Sequence, residues 1–187
     1  VDIGSDSSAQ KSFMAHVNEV ASNLWYRSGK KRVNRAVEIQ KSIKNKPGSA
    51  RNIILFIGDG MSISTVTAAR ILDGQKQGFS GEENFLSFGQ FPYTGMIKTY
   101  NVDAQTPDSA GTMTAIMSGV KTDFGVLGVD EDVVRGDCRS QKGHEVISAL
   151  ALAEIAGLSS GVVTTSRITH ATPAAAFAAS VERGWED

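Results

Sequence analysis

The sequence contains a single cysteine and no apolar run of the length that crosses a membrane. Because Cys138 is the only cysteine, no disulfide can form within the 187 residues. The lack of a long apolar run predicts a protein with no membrane span. The first residues, Val1–Ser5, have neither the basic nor the apolar part of a signal peptide, so an exported protein would be present here in its mature form.

An excess of one sign of charge is also missing. The chain carries 19 basic and 20 acidic residues, and its formal net charge is -1. This balance argues against a surface that binds nucleic acid, so any affinity for anions must be local. A composition of 41% hydrophobic and 21% charged residues is typical of a soluble globular protein, and the length allows a sizeable core.

Two nucleotide-binding signatures are incomplete or absent. Gly58 and Gly60 begin a Gly-x-Gly pattern, but Ile63 stands where the Rossmann fingerprint requires its third glycine. The P-loop pattern does not occur in the sequence. The motifs therefore favour neither a dinucleotide-binding protein nor a P-loop enzyme.

The order of the predicted elements indicates a helical segment over residues 1–48 and an α/β domain over residues 49–187. Apolar residues recur at helical spacing from Phe13 to Leu24, Ser28-Gly29 is expected to interrupt the helix, and a second helix ends by Pro47. Alternating strands and helices then predict a parallel-rich sheet flanked by helices. The predicted strands are 53–57, 95–100 and 161–165, the predicted helices begin near Ser62, Asp108 and Gly143, and 119–139 is expected to be a long surface loop. The first of these helices is expected to end at Gly74, and the second is expected to carry Ala110, Met113 and Ile116 on its apolar face.

Polar residues follow the first two predicted strands, and sites in such folds collect at the carboxyl ends of strands. Asp59 lies between two glycines and is a candidate metal ligand, although a plain turn has the same pattern. Pro107 and Asp108 predict a helix start, where free N–H groups favour an anion beside the Ser109 hydroxyl. A capped turn without function is the simpler interpretation of that segment alone.

A serine hydroxyl is a weak nucleophile until a base or a metal ion activates it. No Gly-x-Ser-x-Gly elbow surrounds Ser109, so activation by a metal ion bound at Asp59 fits better than a Ser-His-Asp triad, which stays an alternative. His16 and His144 lie on predicted helices, where surface positions or hydrogen-bonded partners are expected.

The segment after the third predicted strand offers further polar groups. His170 and Thr172 are candidate ligands of a metal ion or of water, and Pro173 predicts the start of a short helix that continues to Val181. Arg167 and Arg183 are candidates for binding a phosphate, because a guanidinium matches two phosphate oxygens at once.

Taken together, three segments resemble the alkaline phosphatase family in order and spacing. They are 52–61, 106–110 and 169–174, with Arg183 beyond them, and the stretches 67–70, 118–122 and 161–167 also match. The resemblance covers about residues 52 to 187. Three separated motifs in the right order are far more specific than any one of them.

The resemblance implies an alkaline-phosphatase-like fold and hydrolysis of phosphate monoesters by two zinc ions and a magnesium ion. It implies that Asp59 bridges a zinc and the magnesium ion and that Thr172 is a magnesium ligand. Ser109 would bind zinc as the nucleophile and become a phosphoserine. Arg183 would hold the phosphate oxygens, and Asp108 would position Arg183.

The sequence departs from the family pattern in two respects. His170 stands where some relatives carry aspartate, which leaves the occupant of the third metal site open, so His170 is expected to position the substrate through water. The family takes its remaining zinc ligands from a part that would follow Asp187, and three histidines cannot complete two zinc sites. We therefore expect the N-terminal part of a longer enzyme.

Further expectations follow from the resemblance. Pairing of Cys138 with a later cysteine and a periplasmic or secreted location are expected, as is a homodimer to which the N-terminal helical segment contributes. Two alternatives stay open: a phosphodiesterase or sulfatase relative, and a non-catalytic chain that binds a partner supplying the missing half. The Asp108-Ser109-Ala110 setting favours the monoesterase over the former, and the number of bound metal ions distinguishes the latter.

Overall fold

The structure, a computed structural model, describes residues 11, 23–44, 48 and 50–186. The chain forms two compact units. The first contains Val1–Leu55 and Arg70–Thr94, and the second contains Phe56–Ala69 and Gly95–Asp187. The predicted domain boundary after residue 48 stays a prediction, because a division by contacts does not show which part folds independently.

The described helices are α1 (Leu24–Lys44), α2 (Ile63–Lys76), α3 (Ser109–Ser118), α4 (Ala149–Ile155) and α5 (Ala171–Ala174), with short 3-10 helices at Ser87–Gln90 and Cys138–Ser140. None of them has both the length and the apolar character needed to span a bilayer, within the part of the chain that is described.

Helix α1 passes through Ser28-Gly29, so the predicted interruption is wrong. One glycine costs an exposed helix only about 1 kcal/mol, and the lysines and arginines around it are good helix formers. The apolar positions from Phe13 to Val20 lie outside the described residues. In the first unit, Arg32 on α1 donates to Glu83 at 2.8 Å and lies 4.9 Å from the centre of the Phe85 ring.

Helix α2 begins as predicted, since the Ser62 hydroxyl accepts a hydrogen bond from the Thr65 N–H at 3.2 Å. It does not end at Gly74, which is buried inside the helix. A Cβ atom at Gly74 would lie 2.7 Å from the Gly81 Cα and 2.8 Å from the Asn84 Cβ. This glycine therefore serves a close packing contact rather than a helix end.

No strand is assigned in the described residues, where the β pairing consists of two isolated antiparallel bridges, Leu127 with Ser180 and Val129 with Glu145. The apolar side chains of the three predicted strands are largely exposed, and those of Ile53 and Phe56 are 88% exposed. A parallel strand is defined by hydrogen bonds to its neighbours. The parallel sheet therefore stays a prediction.

The core of the second unit lies where α3 packs on α5. Ala110, Met113 and Met117 on α3 are buried against Ala171 and Ala174 on α5. These α3 positions are three and four residues apart, which keeps them on one helix face. Ile116, which the sequence placed in that stripe, is 47% exposed because a further step of three turns it away from the core.

The loop over residues 119–139 is less superficial than predicted, because Val126, Val129 and Val133 form a second buried cluster with Val181. Helix α4 is also shorter than predicted. The segment before it pairs with this loop, as the Asp130 N–H donates to the His144 carbonyl and the Val146 N–H to the Gly128 carbonyl, both at 2.9 Å. His144 therefore lies on an extended segment and not on a helix. Helix α5 ends at Ala174, short of the predicted helix to Val181.

Candidate functional site

Asp59 lies in a tight turn of the second unit. The Met61 N–H donates to the Gly58 carbonyl at 3.3 Å, and Gly60 has a φ of 68° that L side chains rarely adopt. The Asp59 side chain is 47% exposed at the end of this turn. The glycines thus present the carboxylate to solvent just before the start of α2.

The carboxylate of Asp59 meets two groups of α5. The Thr172 hydroxyl donates to Asp59 Oδ2 at 2.6 Å, and His170 Nδ1 lies 3.8 Å from the same oxygen. His170 is also the N-cap of α5, since its Nδ1 accepts from the Thr172 N–H at 3.4 Å. These three residues, which the sequence placed in two separate motifs, therefore come together.

Ser109 is the first residue of α3, as predicted, and is partly buried. Asp108 caps the helix, because its Oδ1 accepts from the Gly111 N–H at 3.1 Å. Gly119, with a φ of 77°, ends the helix in the left-handed conformation. The Ser109 hydroxyl consequently stands beside the free N–H groups and the positive end of the helix dipole.

Four donors surround the carboxylate of Asp108. Its Oδ1 accepts from Gly111 N and from Asn101 Nδ2 at 2.9 Å, and its Oδ2 accepts from Gly125 N at 3.1 Å and from Arg183 Nη1 at 2.9 Å. The side chain is only 6% exposed. Burial raises the pKa of Asp108, but hydrogen bonds from Gly111, Arg183 and Asn101 outweigh it and hold the pKa below its ordinary value. Asp108 is therefore a fixed, charged anchor for Arg183.

The two candidate arginines have different partners. Arg183 forms an ion pair with Asp108, the N-cap of the helix that begins at Ser109. Arg167 instead forms a bidentate ion pair with Glu186, at 2.7 Å and 2.6 Å. His144 Nδ1 lies 3.0 Å from Asp130 Oδ1. The geometry thus brings together Asp108 with Arg183, and Asp59 with Thr172 and His170.

Comparison with known proteins assigns the chain to a family. The family model for alkaline phosphatase matches residues 50–187. The chain belongs to the alkaline phosphatase family. The resemblance inferred from the three motifs is therefore confirmed.

Individual relatives agree with this assignment. The tissue-nonspecific alkaline phosphatase isozyme of Gallus gallus is 49% identical over 161 residues, which are 86% of this chain and 30% of the relative. The alkaline phosphatase of Gadus morhua is 48% identical over 162 residues, 87% of this chain and 33% of the relative. The structure of a cold-active alkaline phosphatase from Shewanella sp. is 27% identical with a TM-score of 0.56 and is matched over 68% of this chain and 29% of that one.

The chain thus spans between 30% and 33% of the curated relatives named here. The match to the solved structure supports an alkaline-phosphatase-like fold for this part of the family.

Sequence reasoning missed three residues that contact the candidate site or the residue next to Arg183. Asn101 and Gly125 each donate to Asp108, and Arg135 forms a bidentate ion pair with Glu182, the neighbour of Arg183, at 2.7 Å and 3.0 Å. The one available signal was the long loop over residues 119–139, since long loops are often functional. Nothing in the local sequence of Asn101 marks it.

The family implies bound metal ions, and the side chains around Asp59 fit magnesium better than zinc. A carboxylate and a hydroxyl 2.6 Å apart are hard oxygen donors of the sort magnesium prefers. Zinc sites in proteins draw on several nitrogen or sulfur ligands, and His170 is the one histidine beside Asp59 in the described residues. The residues present therefore suit a magnesium ion and supply only part of a zinc site.

A separate group of ligand-type side chains lies on the loop. Asp130, Asp132 and His144 each offer an atom within 4.8 Å of the others. None of the three belongs to the predicted site, and His144 already contacts both carboxylate oxygens of Asp130, at 3.0 Å and 3.2 Å.

Proposed function

We propose that the full-length protein carrying this chain hydrolyses phosphate monoesters, with Ser109 as the nucleophile that becomes a phosphoserine. The observation that carries the proposal is the ion pair between Arg183 and Asp108, the residue directly before Ser109, with Arg183 Nη1 2.9 Å from Asp108 Oδ2. Family membership supports the reaction class, and this pair brings a phosphate-binding guanidinium to the start of the helix that presents the serine.

Each chain residue has a defined task in this proposal. The free N–H groups at the start of α3 attract a phosphate oxygen beside the Ser109 hydroxyl. Arg183 uses Nη1 for Asp108, and no other acceptor among the described residues contacts its guanidinium. The remaining N–H groups of Arg183 bind two phosphate oxygens at once. Asp108 fixes the direction of the guanidinium, so that the phosphorus stands in line with the attacking oxygen.

Metal binding is the second part of the proposal. Asp59 and Thr172 would hold a magnesium ion through their oxygens, Asp59 and Ser109 would each contribute one ligand to zinc, and the other zinc ligands would come from the remainder of the full-length protein. Bound divalent ions supply charge stabilisation and activate oxygen nucleophiles. His170, 3.8 Å from Asp59, orients the substrate through a bridging water.

The proposal includes export and a homodimer. Cys138 is exposed, and a disulfide to a later cysteine would suit an oxidising compartment such as the periplasm or the medium. Support for a dimer comes from α1, where Val33 is 63% exposed and Val37 42% exposed, a pattern typical of a helix face that is covered in an assembly.

The test is hydrolysis of an aryl phosphate by the full-length protein with zinc and magnesium supplied. We expect turnover that a chelator abolishes, that returns on adding the metals, and that is lost in Ser109→Ala without loss of folding. Ser118→Ala, which removes a hydroxyl at the other end of α3 that donates to the Thr114 carbonyl at 2.7 Å, is the matched control and keeps turnover. Undiminished hydrolysis by Ser109→Ala would contradict the proposal.

A further inference from the structure

Asn101 lies beneath the carboxylate that anchors Arg183. It is 2% exposed, and its Nδ2 donates to Asp108 Oδ1 at 2.9 Å. The same oxygen accepts from the Gly111 N–H at 3.1 Å, while the other carboxylate oxygen accepts from Gly125 and Arg183. Asn101 thus holds the side of Asp108 that faces away from Arg183.

The position of the Asn101 side chain is closely determined by its surroundings. A Cβ atom at Gly111 would lie 2.6 Å from Asn101 Oδ1 and 2.8 Å from its Cγ, so the amide fills the space that a glycine leaves on α3. The backbone is held as well, since the Asn101 N–H donates to the Ala104 carbonyl and the Val102 N–H to the Thr122 carbonyl, both at 3.0 Å.

A purely structural role does not explain why an asparagine is buried at position 101. Its Oδ1 is buried with no hydrogen-bond partner in the described residues, and a buried acceptor without a partner destabilises the fold. Turning the amide over would direct the oxygen at the Asp108 carboxylate and lose the bond, so the orientation is set by Asp108. An apolar residue of similar size would avoid the orphan acceptor. The donor to Asp108 is what the amide contributes.

We infer that Asn101 is a positioning residue for phosphate binding, which acts by locking the Asp108 carboxylate so that its second oxygen directs Arg183 at the phosphate. The inference rests on the proposed function, because it takes Arg183 as the residue that holds the phosphate. With Asn101 removed, Asp108 keeps its helix cap but loses one of the two bonds to Oδ1. The carboxylate then turns more freely, and the guanidinium follows it.

The experiment compares two variants of the full-length, metal-loaded protein. Asn101→Leu keeps the approximate size and removes the donor. We expect the inhibition constant of inorganic phosphate to rise about tenfold, the effect of losing one hydrogen bond to a charged group. Since the effect acts on binding, KM for an aryl phosphate should rise more than kcat falls.

Asn101→Asp supplies a pH readout that a structural role would not move. The new carboxyl faces Asp108 Oδ1, and two adjacent carboxylates share a proton until the pH exceeds the raised pKa of the pair. Among the residues that the structure describes, the other charged groups near Asp108 are Arg183, which contacts it, and Arg135. In the variant, a protonated carboxyl donates to Asp108 as the amide did. Phosphate affinity should therefore be nearly normal on the acidic side and fall with rising pH, whereas the deficit of Asn101→Leu should not depend on pH.

Thr114→Val is the matched control. Thr114 is 1% exposed on the same helix, and its hydroxyl donates to the Ala110 carbonyl at 2.8 Å and accepts from Gly128 N, without contact to Asp108. It should lower Tm and leave phosphate inhibition unchanged. The inference is overturned if phosphate binds normally to both Asn101 variants. It is also overturned if the loss of phosphate affinity in these variants equals that in Thr114→Val at the same fall in Tm. Absence of Ser109-dependent hydrolysis in the unsubstituted protein would instead overturn the proposed function. Should Asn101→Leu fail to fold, the pH profile of Asn101→Asp decides.

Discussion

Arg183 is held through both its side chain and its backbone: its Nη1 donates to Asp108 Oδ2 at 2.9 Å, and its N–H donates to the Gly125 carbonyl at 2.8 Å. The Gly125 N–H in turn donates to the same Asp108 oxygen. A closed set of three residues, far apart in the sequence, therefore fixes a guanidinium next to the helix that begins at Ser109.

Replacement of the two candidate arginines should affect phosphate affinity differently. Arg183→Gln removes a charged donor, so we expect phosphate affinity to fall about ten- to hundredfold. Arg167→Gln breaks only the ion pair with Glu186 and should leave phosphate affinity unchanged. Competitive inhibition by inorganic phosphate measures both. Equal losses in the two variants would show that the guanidinium at 183 has no special role.

Gly125 should tolerate a methyl group less well than Gly136. Both have φ near the left-handed region, 86° and 82°, which costs alanine about 1–2 kcal/mol. At Gly136 nothing lies within 4 Å of the added atom, whereas at Gly125 it would overlap the guanidinium of Arg135. Moving that group breaks its bidentate pair with Glu182.

We therefore expect Gly125→Ala to lower Tm more than Gly136→Ala and, unlike it, to weaken phosphate binding. Thermal unfolding and phosphate inhibition of the two variants provide the comparison. A similar fall in Tm with no effect on phosphate would mean that Gly125 does not help to hold Arg183.

Sequence reasoning succeeded where the physical cause is local. Asp108 and Ser62 were expected as helix caps, and Gly119 ends α3, because capping depends on a few consecutive residues. Gly74 was mistaken for a helix end. A glycine is needed there because Gly81 packs closely against it, and this contact cannot be read from the residues next to Gly74. The interruption at Ser28-Gly29 was wrong for a related reason: propensity is a weak prior.

The site was predictable in composition but not in its connections. Asp59, Ser109 and Thr172 were predicted as site residues from motif patterns, and the structure brings Asp59 and Thr172 into contact. No pattern joins Asn101 to Asp108 or separates Arg183 from Arg167. Those contacts depend on how distant segments pack. The strands predicted at 53–57, 95–100 and 161–165 likewise stay predictions, because pairing between strands is not a local property.

Thr172 should contribute to magnesium affinity. Thr172→Val removes the hydroxyl that lies 2.6 Å from Asp59 Oδ2 and keeps the side-chain shape. We expect magnesium affinity of the full-length protein to fall about tenfold, by loss of one oxygen ligand. Thr169→Val is the control, since that hydroxyl donates to Glu186 at 2.9 Å instead. Equilibrium dialysis with magnesium should separate the two, and equal affinities would contradict the role of Thr172.

The pKa of Glu186 should report directly on its ion pair with Arg167. Hydrogen bonds from Arg167 and Thr169 lower the pKa of Glu186 to about 2. Because the folded pKa lies below the unfolded value of about 4.3, the pair stabilises the fold above that value, and the stabilisation is lost as pH falls through about 2. In Arg167→Gln the pKa of Glu186 should rise toward its ordinary value. Carboxyl NMR titration measures it, with Glu182, lowered chiefly by Arg135, as the unchanged reference.

The most direct test of the central claim is the identity of the residue that becomes phosphorylated during turnover. The full-length, metal-loaded protein is mixed with an aryl phosphate, quenched in acid and digested, and the peptides are sequenced by mass spectrometry. We predict a phosphoryl group on Ser109 in the peptide that also contains Asp108, and none in Ser109→Ala. Hydrolysis that proceeds with the phosphoryl group on another residue, or with no phosphorylated residue at any quench time, would contradict this account.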